Sequence, residues 1–222
     1  NRWGESKIYG SKITSSFDGT GDIFSEDVNG QLLTSLDLAQ ETPKAILAGN
    51  KIFLSYKVEE SPNENLYFQL LNIDLSLSGD ATALASSSTS KQGFDMVYGE
   101  DNYIYYAYSE NYDISVKKIN NTGSVLWTAS AVESSADDIV KAIYPSPGSG
   151  CVIIYESQSF IDGSHIYAVE VSGSGAAQSS VSISDLSGDQ YYESSSITNN
   201  GIFVSFGDNT SGNYDVYGQH IL

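Results

Sequence analysis

The sequence predicts an all-β protein, a five-bladed β-propeller of four-stranded antiparallel blades whose first and last blades are each short of a strand. Three observations carry this reading. A unit of nearly constant length recurs five times, with Ile23, Leu66, Ile114, Ile166 and Val216 spaced by 43, 48, 52 and 50 residues. Each unit contains a run rich in β-branched and aromatic residues, apolar on both faces of a strand: "KIYGSK", "KIFLSY", "YIYYAY", "CVIIYE" and "GIFVSF". No segment shows a helical period or a heptad. Four short strands repeated at about 50 residues are the pattern of propeller blades.

The elements follow in order within each unit. Third strands read "DIFSEDVNG", "NLYFQLLNI", "DISVKKINN", "SHIYAVEVS" and "DVYGQHIL", each with a second aliphatic residue five positions on, at Val28, Leu71, Ile119, Val171 and Ile221. The second strands are the doubly apolar runs, as required where neighbouring sheets cover both faces. Fourth strands read "QLLTSL", "ATALAS", "SVLWTA" and "SSVSIS", and first strands "KAILAG", "DMVYGE", "VKAIYP" and "SSSITN". Turn residues separate them, among them Asn29-Gly30, Thr122-Gly123 and Asn199-Asn200-Gly201. The blades fall at residues 1–36, 43–86, 93–132, 137–184 and 189–222 of one domain. "NRWGE" stands where the first strand of blade one belongs; it could equally complete the last blade, since Trp3 echoes Trp127.

Blade two contains "ENLYFQL" (64–70), whose first six residues match the recognition sequence of a protease used to remove purification tags. Leu66 and Leu71 fill the two repeat positions, and Tyr67 matches Phe24, Tyr167 and Tyr217. A cloning remnant would interrupt this alternation, so the segment is read as a native strand.

Composition narrows the function. The net charge is −18 with only 10 Lys and Arg, which argues against nucleic acid and anionic lipid as partners. The longest apolar runs are a few residues, too short for a membrane-spanning helix. The lone Cys151 sits in "GCVIIYE" and reads as a buried, inert thiol. The chain begins at Asn1 and its one methionine is Met96, which suggests a removed leader or a longer parent. His165 and His220 both fall on third strands, so a nucleophilic triad is unsupported, as is a zinc site.

The second-to-third and fourth-to-first connections share one end of such blades, and here they are long and polar, for example "SSFDGTG", "SQSFIDG" and "SDLSGDQ". Loops on a rigid scaffold are where function concentrates. Candidate ligand-binding residues are therefore Phe17, Asp18, Phe160, Asp162, Tyr191 and Tyr192, aromatics and acceptors in or beside these loops. Phe17 and Phe160 occupy equivalent connections, each followed closely by Asp and Gly; they serve either as apolar plates for a ligand or as lids over the blade core. Asp18 and Asp22, with Asp185 and Asp189 as a second pair, have spacings suited to Ca²⁺, the one cofactor considered, although Asx-turns explain the same residues. Asp95, Asp138 and Glu193 on or beside inner strands are the carboxylates that could serve a glycoside hydrolase. Lys12 and Glu156 are charges where other units place Tyr56, Tyr108 and Phe206.

"NYDVYGQHI" (213–221) and "YDISVKKINNTGSVLW" (112–127) resemble the tandem propeller repeats of exported bacterial proteins, whose unit reads Tyr-Asp-Ile-Tyr-x-x-Lys-Ile-(Asp/Asn)-x-x-Gly-x-x-Leu-Trp. The match is specific in blade three. Blade number and length are also similar to tachylectin-type lectins, without their motif residues. The resemblance implies a secreted or surface-attached scaffold with no assigned catalytic residues. The expectation is a binding or adhesion module for glycan or protein, a monomer or a part of a longer chain. The alternatives are a five-bladed glycoside hydrolase and a purely structural repeat domain.

Overall fold

The computed structural model describes residues 6–10, 13–14, 24–25, 30–60, 63–184 and 186–221. These residues form strands and turns with no helix, and the chain divides into two compact units, residues 1–90 and 91–222.

The first unit begins with four two-residue strands, β1 (Tyr9–Gly10), β2 (Ile13–Thr14), β3 (Phe24–Ser25) and β4 (Gln31–Leu32). Here the structure departs from the expected order. Strand β1 pairs directly with β4, Tyr9 opposite Leu32, and β2 pairs with β3. The third run of this repeat, "DIFSEDVNG", is rich in Asp, Glu, Asn and Gly, poor strand formers, and its described pairing is two residues long. The second repeat is regular: β5 (Gln40–Ala48), β6 (Lys51–Glu60), β7 (Asn63–Asn72) and β8 (Thr82–Ala85) form one antiparallel sheet in sequence order. Its core gathers Leu54, Tyr56, Val58 and Leu71 with Ile8 and Leu33, and Phe53 stacks on Phe68 with centroids 4.4 Å apart.

The second unit holds three sheets. β9 (Phe94–Tyr98), β10 (Ile104–Glu110), β11 (Asp113–Ile119) and β12 (Val125–Val132) form the first, and β13 (Asp137–Pro145), β14 (Gly150–Ser159), β15 (Gly163–Ser172) and β16 (Val181–Ser182) the second. β17 (Gln190–Thr198), β18 (Gly201–Asp208) and β19 (Asp215–Ile221) form the third. All pairings are antiparallel between consecutive strands. "NRWGE", a candidate partner for the last sheet, lies outside the described residues.

The second strands behave as their composition requires. Ile104 to Ser109 of β10 are all buried, because one face meets the next sheet and the other faces its own neighbours. Tyr105, Ala107, Ile114 and Val116 pack with Val140, Ile153 and Tyr155 of the following sheet. Ile154, Ile166 and Ala168 pack in turn with Ile202, Val204 and Phe206. Inner strands β5, β13 and β17 each break register soon after they begin, between Glu41 and Lys44, Val140 and Ala142, and Tyr192 and Ser194. Such irregularities bend a strand and re-aim its side chains.

Two predictions follow from these strands. "ENLYFQ" lies within β7, hydrogen-bonded to β6 and in part to β8, with Leu66 and Gln69 fully buried. The folded protein should resist the tag-removing protease and be cut after Gln69 only once denatured, as a gel time course would show; rapid native cleavage would contradict the strand. Ile104 is wholly buried. Ile104→Ala should lower unfolding free energy by about 2–5 kcal/mol in urea titration, through the cavity left behind.

Candidate functional site

One polar side chain is buried near the entrance to each of four inner strands. Gln40, Lys91, Asp138 and Gln190 are at most 2% exposed. Their spacing follows the repeat, yet no two neighbours in the series are the same residue type. Gln40 donates from Nε2 to the Leu36 carbonyl (2.9 Å) and accepts the Thr34 hydroxyl (2.7 Å). Gln190 donates to the Leu186 carbonyl (3.1 Å), again four residues back, and its Oε1 accepts the Ile166 amide (3.4 Å). Asp138 accepts the Ser134 hydroxyl at 2.7 Å, also four residues back, and Lys91 pairs with Glu110 at 2.9 Å. The connections before β5, β13 and β17 are thereby pinned to their own inner strands, and the one before β9 is pinned to the end of β10. Sequence reading missed this series because it aligned apolar positions; the signal was a buried-type spacing of unlike polar residues.

The long connections around the last sheet are tied together by Asp189. Its amide donates to Asn209 Oδ1 (2.8 Å), its Oδ2 accepts from Asn209 Nδ2 (3.3 Å), and its Oδ1 accepts the Ser164 amide (3.1 Å). Gly163, at φ +84°, packs so close to this carboxylate that an added Cβ would lie 2.1 Å from Oδ1. Only glycine fits there. The β14–β15 hairpin is thus held at its base. Its tip is turned by Ser159, whose hydroxyl accepts the amides of Ile161 (3.2 Å) and Asp162 (3.3 Å). The Asp162 carbonyl lies 2.8 Å from His165 Nε2.

The structure places the predicted residues unevenly. Phe160 and its neighbour Ile161 protrude fully, at 111% and 91% exposure, so Phe160 does not fold back as a lid. Asp162 is exposed beside them. Tyr191 and Tyr192 go to opposite faces of β17, as successive strand residues do. Tyr192 packs on the core with its amide donating to Glu156 Oε2 (3.2 Å) and its hydroxyl 2.7 Å from Ser195 Oγ. Tyr191 lies edge-on to Tyr214, centroids 5.6 Å apart. Its phenol is pushed up to about 12, first by the hydrogen bond to Tyr214 and then by burial and the charges of Asp189 and Glu156. Phe17, Asp18, Asp22, Asp185 and Lys12 lie outside the described residues.

Tyr191 and Tyr214 form one wall of a cleft of about 320 Å³ that also meets Glu193, Gly207, Asp215 and Val216. Gly207 supplies an open floor, with nothing nearer to an added Cβ than Glu193 at 3.7 Å. Two aromatic rings, the Glu193 carboxylate and a floor without a side chain line the cleft, while the Asp215 carboxylate accepts the Ser211 hydroxyl at 2.9 Å. Such a cleft offers an apolar surface and hydrogen-bond acceptors to a ligand with a flat carbon face and hydroxyl donors.

The other flagged groups are engaged in structure. Glu156 is buried; it pairs with Lys141 at 3.4 Å and accepts from Gln158 Nε2 at 2.7 Å, linking β13, β14 and β17. Asp95 accepts the Ile143 amide at 3.2 Å. Burial pushes the Asp138 carboxyl above its ordinary range, against hydrogen bonds from Ser157 and Ser134 and with the charges of Asp113 and Asp137. Glu193 alone of the three candidate catalytic carboxylates is exposed. Burial likewise raises the Cys151 thiol to about 12, which suits an inert core group. Among the described residues no cluster of three or more His, Cys, Asp or Glu side chains is placed to hold a metal ion.

No family model and no curated protein matches the sequence. Solved structures do match the fold. An endo-arabinase from Bacteroides thetaiotaomicron superposes over 97% of this chain and 94% of its own, with TM-score 0.50 and 8% identity. An exo-β-1,3-galactanase from Phanerochaete chrysosporium, solved with β-1,3-galactotriose, matches over 94% of this chain at TM-score 0.53 and 12% identity. A GH43 β-1,3-galactosidase matches over 89% at TM-score 0.52 and 8% identity. The chain spans 56% and 48% of the latter two proteins. The chain has the all-β, five-bladed propeller fold, and three of the sheets among its described residues are complete four-stranded antiparallel blades. The likeness to tandem repeats of exported proteins and to tachylectin-type lectins rests on the sequence segments alone.

Asp138 yields a pH prediction. A carboxyl whose folded value is raised favours folding fully below the unfolded carboxylate range, and that contribution is lost as pH rises through the folded value. Asp138→Asn keeps an acceptor for Ser134 and removes the charge. It should raise the melting temperature at pH 7 and not at pH 3; an equal effect at both would show that the carboxyl carries no buried charge.

Proposed function

We propose that this chain is a carbohydrate-binding propeller of an exported or cell-surface protein, and that glycan docks at the long-loop end of the last sheet. The observation that carries the proposal is the Tyr191–Tyr214 cleft. Its rings suit the apolar face of a pyranose, and the exposed Glu193 carboxylate suits its hydroxyls. The exposed Phe160, on a hairpin fixed by Ser159 and Asp189, is a second contact at the same end of the sheets. Support also comes from the fold neighbours, named for arabinan- and galactan-type activities. A hydrolase built on Asp95, Asp138 and Glu193 is the weaker reading. Asp138 is 1% exposed, and Asp95 is bonded to the neighbouring sheet's backbone.

The test is calorimetric titration of the full chain with β-1,3-galacto- and arabino-oligosaccharides chosen by a glycan array. Removing both rings in Tyr191→Ala/Tyr214→Ala should weaken binding by about tenfold or more, since stacked rings contribute around 1 kcal/mol each. The melting temperature should stay unchanged, because both side chains are over a third exposed. Undiminished affinity in the double variant, or no glycan bound by the parent, would overturn the proposal.

A further inference from the structure

At the opposite end of the second unit the tight turns enclose a second cavity, of about 590 Å³. It opens between the β13–β14 and β17–β18 turns, with Glu100 contributed from the β9–β10 turn. Ile197, Ile202, Ile221 and Val152 form an aliphatic wall. Ile197 is 60% exposed although it sits on an inner strand, so it presents an aliphatic edge beside the half-buried Val152 and Ile221 and the buried Ile202. Glu100 and Glu170 face the same space, and both are exposed.

Each carboxylate is fixed by one of its oxygens. Glu100 Oε2 accepts the Gly148 amide at 2.8 Å, and Glu170 Oε1 accepts the Ser146 hydroxyl. Those bonds hold both groups on the β13–β14 turn. Among the described residues no Lys, Arg or His lines the cavity. A site of ligand size with a broad aliphatic wall, two positioned carboxylates and no cation complements a ligand that brings an apolar body and a positive charge. The chain's net charge of −18 draws such ligands toward it.

We propose that this cavity binds an alkyl cation, a protonated amine or guanidinium carried on an aliphatic chain. The aliphatic part lies on Ile197, Ile202 and Ile221, and the charged head meets Glu100 and Glu170. A free amine and a Lys or Arg side chain of a peptide present this same chemistry. The site is separate from the Tyr191–Tyr214 cleft and does not depend on glycan binding there.

The experiment follows the isoleucine and valine methyl resonances of the full chain by NMR at low salt, with Val216 reporting on the Tyr191–Tyr214 cleft. The probes are n-hexylammonium, neutral n-hexanol and an acetylated, amidated Ile-Lys-Ile peptide. Hexylammonium should shift the Ile197, Ile202 and Ile221 methyls, leave the Tyr191–Tyr214 cleft unperturbed, and bind about tenfold more tightly than hexanol, as expected for a hydrogen-bonded charge. In Glu100→Gln/Glu170→Gln that preference should vanish while hexanol affinity is kept. Glu100→Gln alone, which leaves the Glu170–Ser146 bond intact, should show part of the loss if the double variant does not fold. Binding of the peptide in addition points to a basic side chain as the natural source, and binding of hexylammonium alone to a free amine. Equal affinity for hexanol and hexylammonium, a preference that survives the Gln substitutions, or the absence of methyl shifts would overturn the proposal.

Discussion

The sheets depend on the burial of one satisfied polar side chain where each long connection hands over to an inner strand. A buried polar group costs several kcal/mol unless its hydrogen bonds are made. Gln40, Lys91, Asp138 and Gln190 are therefore tolerated only with their partners in place, and those partners lie on the loop or strand that must be fixed. A connection that slipped by one residue would strand its polar group in the core, which makes the series a register constraint as much as a source of stability. Asp138 is its most costly member, since burial pushes its carboxyl above the ordinary range despite its hydrogen bonds.

A second set of contacts secures the tight-turn end. Asp101 Oδ2 accepts from Lys118 Nζ (2.8 Å), the Tyr105 hydroxyl (2.7 Å) and the Ser149 hydroxyl (2.8 Å). Although burial opposes it, these bonds hold the carboxyl below its usual range. Lys118 also lies 4.3 Å from the Tyr103 ring centroid and donates to the Gly173 carbonyl, which Trp127 Nε1 shares at 3.2 Å. The first two sheets of the second unit are thus joined at one end by ions and aromatics, while their middles are joined by aliphatic packing.

Much of this architecture was legible in the sequence because strands covered on both faces leave an unmistakable composition. "YIYYAY" and "CVIIYE" cannot be half-exposed strands, and the period between them sets the blade length. Even the protease-like "ENLYFQL" was resolved by its repeat positions, and it lies in β7. Other features lay beyond the sequence for physical reasons. The polar anchors share a place but not a chemistry, so no residue identity marks them. Glu156 stood out as a charge in an aromatic position, but its role comes from Lys141 and the Tyr192 amide, on strands that only the fold brings near. The direction of Phe160 was undecidable from "SQSFIDG", because the hairpin that carries it is clamped by Asp189, which is distant in sequence. Tyr214 was not singled out, since its partner Tyr191 lies on a different strand.

The Gly163–Asp189 contact separates the residues that hold the fold from those whose replacement costs the fold nothing. Ser159, Gly163 and Asp189 fix where the β14–β15 hairpin begins and ends, while Phe160, Ile161 and Asp162 contribute side chains only to the solvent. Substitutions at those three positions leave the packing of every sheet untouched. The hairpin is therefore a natural graft site, where a foreign recognition sequence can replace the tip while its two ends remain clamped to the scaffold.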